Sequence, residues 1–80
     1  MKIDNNIYIA YDDIGVIKKG KKFEVLDELV KTVNSKEVKE IYSKKERAEM
    51  IDFIVPLYNK EFDQENFFGF TVDKFRGITE

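Results

Sequence analysis

The chain has no histidine and no cysteine, and its only serines are Ser35 and Ser43. The side chains that most often do chemistry are therefore nearly all missing. General acid–base work near neutral pH most often uses histidine. Nucleophilic triads pair serine or cysteine with histidine, or serine with lysine. Ser35 and Ser43 both read better as helix-boundary residues. A zinc site built from thiolates or imidazoles is ruled out by the same composition. Carboxylates are plentiful, with clusters at Asp12-Asp13 and at Glu61, Asp63 and Glu65. A calcium loop counted from Asp63 fails, because its sixth position is Phe68 where glycine is needed and its twelfth is Lys74 where an acid is needed. A carboxylate hydrolase would need the walls of a substrate cleft, which 80 residues scarcely supply. The sequence is expected to be no enzyme, to need no cofactor and to retain no transition metal.

Two groups of residues could bind rather than react. Lys18, Lys19, Lys21 and Lys22 place four positive charges within five positions. A nucleic acid or another polyanion could lie against them, with Tyr8 and Tyr11 nearby to stack on bases. The segment lacks the spacing of a phosphate-binding loop, and lysines at turns more often solvate a surface or guard a sheet edge. The second group is aromatic: Phe62, Phe67, Phe68, Phe70 and Phe75 fall within 14 positions. Core packing is the simplest use for them. The chain nevertheless offers more apolar faces than one small core encloses, so a partner surface is expected at Phe67, Phe68 and Phe70, where Gly69 lets another backbone approach.

The elements that would position these groups follow from periodicity. Alternation in residues 6–11, turn chemistry at Asp12-Asp13-Ile14-Gly15 and the run Val16-Ile17-Lys18 predict a β-hairpin over 6–18. After Gly20, the three-and-four spacing of Phe23, Leu26, Val30 and Val33, with Leu29 beside them, predicts an amphipathic helix over 22–34. Residues 36–42 suit a short helix or an edge strand, with the helix preferred. Ser43-Lys44-Lys45-Glu46 has the form of a capping box, and an apolar run follows it. Glu49, Asp52, Pro56 and Asn59 then trace one narrow polar stripe, which predicts a single kinked helix over 44–60. The competing reading ends that helix at Ile54 and starts a new turn at Pro56. Phe68, Phe70 and Val72 alternate, so a strand over 66–72 is expected to join the N-terminal hairpin.

These elements describe an α+β chain in one domain, residues 1–80: an N-terminal β-hairpin packed with two or three helices and a C-terminal strand. The segment MKIDNNIYIAYDD holds no apolar run suited to a leader or a membrane span, and the absence of cysteine fits a reducing compartment. A cytoplasmic protein with no membrane partner is expected. Twelve lysines stand against only Arg47 and Arg76, alongside many Ile and Asn, a bias toward AT-rich codons that would suit a phage or mobile element. The net charge of −2 gives no global field toward nucleic acid. The expected function is a non-enzymatic adaptor or inhibitor that docks on another protein or on itself. The alternative is a nucleic-acid-binding module built on Lys18–Lys22.

Overall fold

A computed structural model describes residues 6–75, so the first five residues of the segment read for a leader lie outside it. The elements are β1 (Ile7–Tyr11), β2 (Val16–Lys21), α1 (Lys22–Val33), α2 (Lys36–Ile41), α3 (Lys44–Ile54), a 3₁₀ turn (Val55–Asn59), β3 (Gln64–Phe67) and β4 (Phe70–Phe75). The four strands form one antiparallel sheet in the order β2-β1-β4-β3. The fold is therefore α+β, as the sequence predicts.

The N-terminal hairpin forms where expected, but β2 runs on to Lys21 and carries Gly20 inside the strand. Alternation along β1 sends Tyr8 and Ala10 into the core and leaves Ile7, Ile9 and Tyr11 on the half-exposed opposite face. A bulge interrupts the β1–β2 ladder: Ala10 pairs with Lys18 while Tyr11 pairs with Val16, leaving Ile17 over. The chain turns directly from β2 into α1, where the Glu24 carboxylate accepts from the Lys21 amide at 2.8 Å. The buried residues of α1 are Val25, Leu26, Leu29 and Val33. At about 100° per residue this stripe is turned toward Val25, so Phe23 faces outward and stacks on Tyr58, with ring centroids 5.8 Å apart.

Residues 36–41 are helical, and α3 begins at the expected capping box. Ser43 Oγ accepts from the Glu46 amide at 3.1 Å, and the Glu46 carboxylate accepts from the Ser43 amide at 2.8 Å. The single kinked helix over 44–60 is corrected. The α-helix stops at Ile54, and the chain continues as a 3₁₀ turn with Pro56 near its start. Proline has no amide to give the Asp52 carbonyl, so tightening to 3₁₀ pitch ends the α pattern there. The polar stripe itself is present, since Glu49, Asp52, Pro56 and Asn59 are all exposed. Ala48 and Val55 are exposed as well, so α3 is less enclosed than its composition implies.

The strand over 66–72 is also corrected. Phe67 pairs with Phe70, and Phe68 and Gly69 form a two-residue hairpin turn with φ of 47° and 89°. Two successive positive φ values are what the right-handed twist of a tight hairpin requires. Gly69 thus marks a turn between two strands. The expected junction with the N-terminal hairpin holds through β4, which pairs along the whole of β1.

Candidate functional site

The end of the sheet that carries both hairpin turns opens onto a cleft of about 470 Å³. Three separate parts of the chain supply its exposed apolar side chains. Ile14, at the tip of the β1–β2 turn, is 95% exposed; Ile41, in the last position of α2, is 72% exposed; Phe68, in the β3–β4 turn, is 37% exposed. Val38 and Phe70 form the buried floor between them.

Each of these side chains is held by local structure with a clear cause. Asp12 Oδ1 accepts from the amides of Ile14 and Gly15, at 2.9 and 3.1 Å, and this side-chain turn fixes the hairpin tip. Ser35 caps α2 by accepting from the Val38 amide at 3.4 Å. On this helix Glu37, Val38 and Ile41 line the cleft, while Lys36 and Lys39 do not. Tyr42 Oη donates to the Phe68 carbonyl at 3.0 Å, and its ring meets Phe68 edge-on with centroids 6.0 Å apart. That contact braces an unfavourable conformation. A left-handed backbone at a bulky residue costs about 1–2 kcal/mol, and Asn, Asp or Gly would be the usual choice for this turn position. The fold keeps a phenylalanine there, at the mouth of the cleft.

The polar groups of the cleft are mostly occupied by this scaffolding. Asp12 holds its turn and Ser35 caps its helix. Thr32 Oγ1 donates to the Glu28 carbonyl, and Tyr42 is bound to Phe68. Asp13 and Glu37 remain exposed, with no hydrogen bond or ion pair among the described residues. Among the described residues no lysine or arginine lines the cleft.

The residues singled out from sequence are not gathered into one site. Of the three phenylalanines expected at a partner surface, Phe67 is 7% exposed and Phe70 5%, so both belong to the core. Phe67 stacks on Phe53 at 4.8 Å and packs beside Phe70 at 5.7 Å. Only Phe68 reaches solvent, because the turn at Phe68-Gly69 lifts it out of the alternation. The four lysines diverge. In the β1–β2 ladder Lys18 lies opposite Ala10, on one face, whereas Lys19 and Lys21 lie opposite Ile9 and Ile7, on the other. Lys19 Nζ sits 4.3 Å from the centre of the Phe75 ring. Lys22 Nζ donates to the Lys60 carbonyl at 2.6 Å and lies over Phe62. The lysines of β2 lie on an edge strand, where such side chains discourage pairing with another chain. Ile14 and Ile41 were not anticipated from the sequence. The available signal was a large apolar residue in a turn, between Asp13 and Gly15, where no core face calls for one.

No family model matches the chain, and neither a curated protein nor a solved structure matches it. Among the described residues no group of acidic side chains could hold a metal ion, and no helix is long and apolar enough to cross a membrane.

Proposed function

We propose that this domain is a non-enzymatic protein-binding module that docks an apolar segment of another protein in the cleft. The observation that carries this reading is the convergence of Ile14, Ile41 and Phe68, from two turns and a helix, on one concave surface. Exposed apolar surface gathered in one place marks interaction sites, whereas single scattered residues do not. The turn strain at Phe68 supports the same reading, because strained residues gather at functional sites. The occupied polar groups favour docking over chemistry: the hydroxyls and the Asp12 carboxylate already serve the scaffold. An adaptor or an inhibitor acts in this way, by occupying a surface. A nucleic-acid reading has less to rest on, since the lysines of β2 point to different sides of the sheet.

The test is affinity capture from the native host with the wild-type protein and an Ile41→Ser variant. Ile41 is largely exposed, so the substitution should change stability by no more than about 0.5 kcal/mol. A protein that is retained by the wild type and lost with the variant supports the reading. Retention that is indifferent to Ile41→Ser, or that disappears on nuclease treatment, refutes it.

A further inference from the structure

We infer that the segment received by the cleft is basic as well as apolar, with lysine or arginine beside its hydrophobic anchors. The inference rests on the docking reading above and adds the chemistry of the partner. The three charged residues that line the cleft are Asp12, Asp13 and Glu37, and all are acidic. They come from two separate elements, the β1–β2 turn and α2, and the apolar side chains of Ile14, Val38, Ile41 and Phe68 share the surface with them. Asp12 is engaged by the turn amides, while Asp13 and Glu37 stay exposed and unpaired among the described residues.

The local charge balance differs from that of the chain as a whole. The sequence holds 14 basic and 16 acidic residues, close to balance, and α2 itself carries Lys36 and Lys39. Those lysines fall outside the cleft lining, and Glu37 falls within it. An occupant with cations beside its apolar anchors would meet opposite charge on the rim and apolar atoms below. The long stems of lysine or arginine would also cover Ile14 and Ile41. An acidic segment or a phosphate backbone would meet repulsion, so the same rim selects against polyanions.

The test uses a random peptide library displayed on phage, panned on the wild-type domain and counter-selected on Ile41→Ser. Binding of the leading peptides is then measured by fluorescence anisotropy. Enriched sequences should carry lysine or arginine adjacent to large apolar residues. The double variant Asp13→Asn/Glu37→Gln should weaken them roughly 2- to 30-fold at low salt, the effect of two rim ion pairs. It should also flatten the salt dependence of binding. Both residues are exposed, and an unchanged circular dichroism spectrum will show that the variant is folded. Peptides that need Ile41 but are neutral or acidic, or that bind the double variant as tightly as the wild type, overturn the charge inference and leave the docking site standing. Failure to enrich any peptide that depends on Ile41 overturns both.

Discussion

Truncating the three neighbouring phenylalanines one at a time separates core from cleft. Phe67 and Phe70 are almost fully buried, and Phe67 stacks on Phe53. Removing a core phenylalanine costs about 3–5 kcal/mol, the transfer of the ring plus the cavity left behind. At about 0.05–0.15 kcal/mol per residue, the 80-residue chain has a total stability of about 4–12 kcal/mol. Phe67→Ala or Phe70→Ala should therefore remove much of it. Phe68→Asn is different in kind. It gives up part of the ring burial and the edge contact with Tyr42, together about 1.5–3.5 kcal/mol. It also relieves about 1–2 kcal/mol of strain, because asparagine accepts the left-handed backbone at φ 47°. The net cost is about −0.5 to 2.5 kcal/mol. Urea unfolding followed by circular dichroism reads this directly. With a slope of about 1 kcal/mol per molar, the midpoint should fall by roughly 3–5 M for Phe67→Ala and Phe70→Ala, and by no more than about 2.5 M for Phe68→Asn. If Phe68→Asn lowers the midpoint as far as the other two, the core holds its ring and the cleft mouth has been misread. If Phe67→Ala is tolerated, the Phe67 ring does not hold the core together.

Two further outcomes follow from the 3₁₀ turn and its contacts. Pro56→Ala should destabilise by about 0.4–1 kcal/mol, because proline suits the start of the turn and restricts the unfolded chain; a rise in the denaturation midpoint would restore the single kinked helix. Tyr58 Oη donates to the Asp27 carboxylate at 2.6 Å, and burial first, then that bond and charge, push the phenol up to about 12. The folded value lies above the unfolded one of about 10, so this contribution to stability is complete below pH ~10 and is lost as pH rises toward 12. In Tyr58→Phe, an ultraviolet titration should lose its phenolate step near pH 12, and stability should depend less on pH between 10 and 12. A step near pH 12 that persists in the variant would show that Tyr58 does not ionise there.

Local chemistry carried much of the architecture. The β1–β2 hairpin could be read because strand alternation and an aspartate-glycine turn act over neighbouring residues, and α3 could be started correctly because a capping box closes its bonds within four positions. The aromatic segment was harder, since Phe68 and Phe70 are two residues apart whether the chain runs straight or folds back at Gly69. Pairing of Phe67 with Phe70 chooses the fold-back, and β4 lies along a strand more than 60 residues earlier in the chain. The rotation of the α1 stripe was hidden for a related reason. Phe23 fits the apolar period, but the exit of the chain from β2 turns Val25 inward in its place.

The sequence by itself determined what the chemistry of this protein cannot be built from, because the absence of histidine and cysteine is independent of conformation. It also determined the α+β class, through patterns that repeat over a few residues. Only the tertiary structure gathered exposed apolar residues onto one surface. Ile14, Ile41 and Phe68 are separated by 27 residues each, and nothing in their local neighbourhoods marks them as belonging together. Antiparallel pairing of β1 with β4 brings their two turns to one end of the sheet, and α2 packs beside them. The same folding parts the clustered lysines: Lys18 lies on one face of β2, Lys19 and Lys21 lie on the other, and Lys22 stands on α1. Proximity in sequence became divergence in space, and distance in sequence became a cleft.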